Sequence, residues 1–528
     1  MNQNLSSADH SVVPPQITIP RQYNAARDLM GRNLEAGRGD KTAYIDDQGS
    51  ITYAQLDARS SAFGSRLNSL GLQQEQRLFL CVLDCIDWPV AFLGSIKAGV
   101  VPVAANTLLT PKDYAYMLSD SRAKVAVVSP THLEMFLELR NEIPSLETIV
   151  VAGSERDGAD LTVAELEQGG DRAFVGADTT CDDPCFWLYS SGSTGAPKGT
   201  VHIQSSIIQT AELFGTQVLE MSDKDVIFSA AKLFFAYGLG NGLSFPIAVG
   251  ATTILMAERP TPDAVYKRLV DHQPTVFCGV PTLYAGMLAA PNKPYKEQLA
   301  VRVGTSAGEA LPEELQTRWR EAFGTEIIDG IGSTEMLHIF LSNRLDDVAP
   351  GTTGKPVPGY EVKLIDAEGN EVPQGEIGDL IIKGPSSAIM YWNNRLKSVA
   401  TFRGEWTFSG DKYLVNEQGY YVYAGRSDDM LKVSGIYVSP AEVEATLIKH
   451  EAVLEAAVVG AADENELIKP KAFIVLQQGV SGDDALRAQL KDFVKANLAP
   501  HKYPRWFEFV EDLPKTATGK IQRFKLRA

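Results

Sequence analysis

The chain reads as an α/β protein with a large N-terminal body of layered α/β sheets in several subdomains, a β-rich subdomain, and a small α+β domain at its C-terminal end. Three observations predict this. From Tyr44 onward short apolar runs alternate with amphipathic runs of helical length, as expected for a sheet with helices on its faces. Beyond about Pro350 the texture becomes β-rich and punctuated by turn signals. The last stretch, from Asp428 on, carries helices and strands of its own, enough for a separate small domain.

Taken in order, residues 1 to about 20 are polar and Pro-bearing and are expected to form a loose arm. The alternation then runs through the apolar ITYAQL, the helix ARSSAFGSRLNSLG, the strand RLFLCVL, the helices DWPVAFLGSIKAG and PKDYAYMLSD, and the strand KVAVVS. It resumes with the strands VIFSA, ATTILM, TVFCGV, VRVGTS and TEIID, separated by helical segments. In the β-rich part, EVKLIDAEGNEV reads as a hairpin with a Glu-Gly-Asn tip, followed by the strand DLIIKG. The C-terminal part gives the helices PAEVEATLIKH and DDALRAQLKDFVKANL and the strands LEAAVVG, PKAFIVL and WFEFVEDL. The predicted domains are 21–427 and 428–528.

Composition bounds the function. With 528 residues, 44% hydrophobic and 22% charged, the chain is globular and long enough for several packed layers. A net charge of −17 argues against nucleic acid or an anionic membrane as the main partner. Five cysteines (Cys81, Cys85, Cys181, Cys185 and Cys278) show neither C-x-x-C nor zinc spacing and read as reduced thiols. The N-terminal residues lack the regions of a signal peptide, and no eighteen apolar residues run together. A cytoplasmic protein without a membrane partner is the expectation.

The most informative stretch is CFWLYSSGSTGAPKGTVH, Cys185 to His202. Cys185 to Ser190 reads as a buried strand, and Ser190, Ser191, Gly192, Ser193, Thr194, Gly195, Ala196, Pro197, Lys198 and Gly199 follow without a core residue. Glycines let successive N–H groups point inward, hydroxyls add donors, and a lysine supplies a point charge, which together suit an anion. The spacing G-x-x-G-x-x-K-G excludes the Walker A loop, G-x-x-x-x-G-K-[ST].

This stretch resembles the phosphate loop of the adenylate-forming superfamily, [ST]-S-G-[ST]-T-G-x-P-K-G, at every position from Ser190 to Gly199. Further segments resemble its other motifs. VGTSAGEALP would place Ala307, Gly308 and Glu309 along the adenine face. In DGIGSTE, Asp329, Gly330 and Ile331 would border the base, Thr334 would contact phosphate and Glu335 would help hold Mg²⁺, a hard cation that requires oxygen ligands. Ile331 departs from the aromatic residue common in the motif. WTFSGDK would offer Asp411 to both ribose hydroxyls, and Arg426 in YAGRSDD would reach ribose or phosphate. Asp428 matches the hinge of a mobile C-terminal domain, Gly435 the loop that shapes the thiol tunnel, and Lys520 in PKTATGKIQR the lysine of the first half-reaction.

The resemblance implies a two-step reaction using ATP, Mg²⁺ and coenzyme A, with Lys520, Thr194, Lys198, Thr334 and Glu335 as the groups that stabilise charge. The acyl pocket would be walled by Phe235, Ala236, Tyr237, Gly332, His338 and Ile339. Walls without an evident cation suit a small, flat, apolar acid. FFAYGLGN, SAGEALP and DGIGSTEMLHIF are more similar to benzoate–CoA ligases than to acetate, long-chain or coumarate ligases, which implies benzoate as substrate and a monomer or homodimer. Alternatives are another small aryl or alicyclic acid, or a stand-alone adenylation enzyme that loads a carrier protein.

Overall fold

The computed structural model describes residues 4–192, 195–427, 429–433, 436–464, 467–499, 502–515 and 521–527. Among the described residues, the strands of the large body form an eight-stranded and a nine-stranded sheet. The first centres on the parallel strands Val101–Ala104, Arg77–Cys81, Val125–Val128 and Thr148–Val151. The second centres on Thr252–Ile254, Val226–Ser229, Val276–Gly279, Val303–Ser306 and Glu326–Gly332. These central strands are buried along most of their length, as a parallel sheet covered on both faces requires.

The helix Asp87–Lys97 is apolar on every side and buried from Trp88 onward. It crosses the helix Tyr53–Ser69 at glycines: a Cβ on Gly64 would lie 2.4 Å from the Gly94 carbonyl oxygen, so only hydrogen at these positions permits the approach. The β-rich subdomain is an antiparallel sheet of Glu361–Ile365, Gly378–Lys383, Trp406–Val415, Phe402–Arg403 and Tyr421–Arg426. The small C-terminal domain packs the helices Pro440–Ile448 and Asp484–Asn497 on a sheet of Val453–Ala462, Ile468–Leu476 and Trp506–Phe509. Its core begins at Leu431, whereas the core of the body reaches Tyr423.

Three sequence expectations change. The N-terminal residues are not a loose arm: Ser7–Asp9 pairs antiparallel with Gln16–Thr18, and Ser6 Oγ donates to the buried Asp28 carboxylate at 2.5 Å. A buried carboxylate must find donors, and this ribbon supplies one. ITYAQL is split, because Thr52 ends a short strand and caps a helix. Its hydroxyl accepts from Gln55 N at 3.3 Å while the Gln55 side chain accepts from Thr52 N at 2.9 Å. The phosphate stretch is a β-hairpin, Pro184–Gly192 against Gly195–Ile203, with pairing that continues into the glycine-rich segment as far as Gly192 and Gly195.

None of the five cysteines is disulfide-bonded. Among the described residues no helix is long and apolar enough to cross a membrane.

Candidate active site

Two strands of the hairpin set the first part of the site. Ser190 and Lys198 are register partners, and antiparallel partners project to the same face. Met390–Tyr391 adds a further strand beside Gly195–Ile203, with Tyr391 opposite Thr200. Lys198 Nζ consequently lies 3.4 Å from Tyr391 Oη and 4.4 Å from the centre of its ring. Tyr391 Oη donates to Glu335 Oε1 at 2.7 Å, and Ser190 Oγ reaches the same oxygen at 3.4 Å. Four residues from three segments thus converge.

Glu335 stands in the turn between the strands Glu326–Gly332 and Ile339–Ser342, where Met336 N bonds Ser333 O and Leu337 N bonds Thr334 O. Ala388 N donates to its carbonyl at 2.8 Å. The Lys198 ammonium is held below its ordinary pKa by burial first of all. Glu335 opposes the shift, and Lys397 and Arg426 add to it. Such a cation has an incentive to meet a second anion. His202 supports Thr334 from behind: its buried ring donates through Nε2 to Thr334 O at 2.8 Å and stacks on Phe186, and burial lowers its pKa to about 4. It is therefore a neutral fixture.

The strands Val303–Ser306 and Glu326–Gly332 bring Ser306 beside Asp329. Ala307 is buried, and Gly308 follows with φ +96°, a left-handed conformation that glycine adopts without penalty. Asp329 is buried, its Oδ1 has no hydrogen-bond partner among the described residues, and burial raises its pKa well above the carboxylate range. Ile331 packs on the main core, and a Cβ on Gly332 would come within 2.6 Å of the His338 carbonyl group. In the β-rich sheet Asp411 pairs with Arg426, whose Nη1 donates to Asp411 Oδ1 and to Ser409 O, both at 3.1 Å. Gly410 between them has φ +74°, and a Cβ there would lie 3.0 Å from Arg426 Nη2.

Beside these elements lies an aromatic enclosure. Phe235 packs against Phe234 with ring centres 4.4 Å apart and the planes tilted by 58°, and Ala236 and Tyr237 open a short helix. Tyr237 Oη meets Thr305 Oγ1 at 2.5 Å, and its ring stacks on His338 at 5.7 Å. Phe245 and Phe214 hold the other sides of the imidazole, at 4.5 Å and 5.2 Å. His338 Nε2 donates to Tyr237 O at 3.3 Å, Nδ1 has no partner among the described residues, and burial lowers the ring's pKa to about 3. His338 is a buried neutral ring with one nitrogen unpartnered among the described residues. Ile339 is buried next to it.

Ser193, Thr194, Asp428, Gly435 and Lys520 lie outside the described residues. For Ser191, Gly192 and Gly195 the hairpin describes the backbone path only. Ile521, the residue after Lys520, donates its N–H to Glu309 Oε1 at 2.8 Å, so the C-terminal domain touches the Ala307–Glu309 strip. Lys515 and Ile521 form an antiparallel bridge, and Arg523 is anchored by Glu444 at 2.7 Å. The Glu444 carboxylate raises the Arg523 pKa.

Sequence reasoning missed three residues. Tyr391 belongs to none of the motifs, and pairing with the glycine-rich hairpin brings it in. His202 lies between Val201 and Ile203 near the end of its strand, where a lone polar ring between apolar residues is the available signal. Arg523 stands inside the PKTATGKIQR motif. Tyr391→Phe is expected to reduce kcat/KM for ATP by about tenfold or more, since a hydrogen bond to a carboxylate contributes about 1.5–3 kcal/mol. Steady-state kinetics at varied ATP check this, with the acid KM as the control that stays unchanged.

Among the described residues no three His, Cys, Asp or Glu side chains cluster as a metal site. Glu335 offers a carboxylate beside the described part of the hairpin, which fits an ion that takes one or two carboxylates and completes its shell with substrate phosphates and water, as Mg²⁺ does.

The family described as AMP-binding enzyme matches residues 32–392, and its C-terminal domain family matches residues 442–520. The chain is 65% identical over 526 residues to a benzoate–CoA ligase of Thauera aromatica, with 99% of each chain covered. It is 48% identical over 510 residues to a 4-hydroxybenzoate–CoA/benzoate–CoA ligase of Rhodopseudomonas palustris, covering 96% of this chain and 94% of that one. The crystal structure of a benzoate CoA ligase from Burkholderia xenovorans matches with a TM-score of 0.90 at 56% identity, covering 96% of this chain and all of that one (100%). An anthranilate CoA ligase in complex with anthranoyl-AMP matches with a TM-score of 0.93 at 44% identity over 96% of this chain and 97% of that one. The glycine-rich hairpin, the acidic turn facing it and the match of both family domains lead to one conclusion: this chain belongs to the AMP-binding enzyme family, the adenylate-forming ligases.

Proposed function

We propose that the protein converts benzoate, ATP and coenzyme A into benzoyl-CoA, AMP and pyrophosphate. The benzoate carboxylate attacks the α-phosphorus, forming a C–O–P bond and releasing pyrophosphate. The thiol of coenzyme A then attacks the carbonyl of the adenylate, its proton leaves to solvent, and AMP departs with the electron pair of the broken bond. Side-chain nucleophiles are not needed, because positioning and charge stabilisation carry a displacement of this kind.

The main support is one juxtaposition: the Lys198–Tyr391–Glu335–Ser190 constellation, built for phosphate, beside an uncharged aromatic enclosure of Phe235, Tyr237 and His338. The relatives named above point to the same acid. Ser190, Ser191, Gly192, Ser193, Thr194 and Gly195 would cradle the phosphates with Lys198 and Thr334. Bound through Glu335, Mg²⁺ would neutralise charge on the phosphate oxygens. Asp329, with its unpartnered buried oxygen, suits the amino group of adenine, and Ala307, Gly308, Glu309, Gly330 and Ile331 would border the base. Asp411 and Arg426 would take the ribose. Ala236, Gly332 and Ile339 would close on the aryl ring. Lys520 would act in the first step only, Asp428 as the hinge and Gly435 at the thiol passage.

A panel of benzoate, 2-, 3- and 4-hydroxybenzoate, cyclohexanecarboxylate, acetate, octanoate and phenylalanine tests the acid. The expected ranking places benzoate first, with turnover confined to it and its small-substituent analogues. Preference for acetate, octanoate or phenylalanine would overturn the assignment of the pocket walls. Turnover of 4-hydroxybenzoate equal to that of benzoate would mean that His338 Nδ1 serves a ring hydroxyl, since an unpaired buried hydroxyl is otherwise costly.

A further inference from the structure

We infer that Asp84 is a positioning residue for the acyl pocket: its carboxylate fixes the backbone at Leu233 and so sets the affinity for the aryl acid. The inference rests on the function proposed above. Asp84 lies just past the strand Arg77–Cys81 of the eight-stranded sheet, while Leu233 follows the strand Val226–Ser229 of the nine-stranded sheet. Leu233 N donates to both Asp84 oxygens, at 3.2 Å and 3.4 Å, and both residues are buried. One carboxylate therefore ties together the C-terminal ends of the two sheets.

The position of Leu233 passes directly into the pocket wall. Phe235 N bonds Lys232 O at 3.0 Å, and Leu239 N bonds Phe235 O at 2.7 Å. Gly238 packs so tightly on this turn that a Cβ would lie 2.0 Å from Lys232 O, and Gly242 packs on the Leu233 side chain in the same way at 2.8 Å. The turn has no slack, so a shift at Leu233 moves Phe235 and Tyr237.

The charges around it sharpen the point. Lys232 does not pair with Asp84 directly; its ammonium donates to Met256 O and to Glu258 O, and burial holds its pKa down. Arg268, Glu258 and Asp47 surround that ammonium in turn. Tyr44 neighbours the carboxylate, Cys85 adjoins it in the chain, and Asp46, at the end of the strand Thr42–Asp46, accepts from Ile86 N at 2.9 Å. Burial raises the Asp84 pKa to about 6, against the pull of Lys232 and the Leu233 N–H. Above that value the carboxylate is ionised and a strong acceptor for Leu233. As pH falls through it, the group protonates and the tether weakens.

The test is the pH dependence of the benzoate KM in the wild type and in Asp84→Asn, with the ATP KM measured in parallel. The wild-type benzoate KM is expected to rise several-fold between pH 7.5 and pH 5.5 while the ATP KM stays within twofold. Asp84→Asn is expected to show a raised benzoate KM at pH 7.5 and a flatter profile; ionisation of the substrate is common to both proteins and cancels in the comparison. Parallel profiles in the two proteins, or equal changes in the KM values for ATP and benzoate, would overturn the inference. Should the variant fail to fold, a wild-type benzoate dissociation constant that is flat from pH 7.5 to 5.5 would overturn it equally. Absence of benzoate turnover by the wild type at every pH would instead strike the proposed function.

Discussion

Lys520→Ala is expected to slow benzoate-dependent ATP–pyrophosphate exchange by about a hundredfold or more, while conversion of supplied benzoyl-adenylate and coenzyme A to benzoyl-CoA stays within a few-fold of wild type. In the first step, negative charge gathers between the attacking carboxylate and the α-phosphoryl oxygens, and removing one preorganised donor from such a centre typically costs about 10²–10³ in rate. In the second step the phosphoryl bond is already made, and that charge does not develop. The Ile521 N–H bond to Glu309 ties the residue after Lys520 to the Ala307–Glu309 strip, proposed above to border the base, which supports a first-step role. Equal loss in both half-reactions would contradict the assignment.

Glu335→Gln carries the second large effect. Glu335 is the carboxylate that Tyr391 and Ser190 converge on, and it opposes the depression of the Lys198 pKa. Its neutralisation removes a hard anionic oxygen beside the hairpin and is expected to lower kcat/KM for ATP by about 10²–10³, with partial recovery at raised Mg²⁺ concentration. It also removes the negative charge that favours the protonated Lys198, so the alkaline limb of the pH–rate profile should move to lower pH. The sign is fixed: the protonated lysine is the useful form, and without Glu335 it loses its proton earlier as pH rises. An alkaline limb shifted upward, or kinetics insensitive to Mg²⁺ in the variant, would contradict this role.

Much of the body was legible because parallel strands buried on both faces leave continuous apolar runs. RLFLC, VAVV, VFCG and VGTS stand out in the chain for that reason. Boundaries set by a single polar contact were not legible. Thr52 ends a strand and starts a helix because its hydroxyl caps Gln55 N, and ITYAQL as a run of apolar residues conceals it. The N-terminal ribbon depends on Asp28, a buried acid ten positions beyond the paired strands, and polar composition alone suggests a loose arm.

The site shows the same division. Ser190, Lys198 and Glu335 were found by motif, and the structure brings them together. Tyr391, which joins Lys198 to Glu335, was invisible in sequence because its place comes from a two-residue strand pairing across nearly two hundred positions. His338 was found, but its surroundings were not. Whether it faces solvent, substrate or core depended on Phe214 and Phe245, and these rings hold it neutral against Tyr237.

The central claim is tested most directly by quantifying AMP and benzoyl-CoA together, the latter by mass, after incubating the protein with benzoate, ATP, Mg²⁺ and coenzyme A. Equal amounts of the two products, both dependent on benzoate, are the predicted result. AMP formed without benzoyl-CoA, or no benzoate-dependent AMP at all, would contradict it.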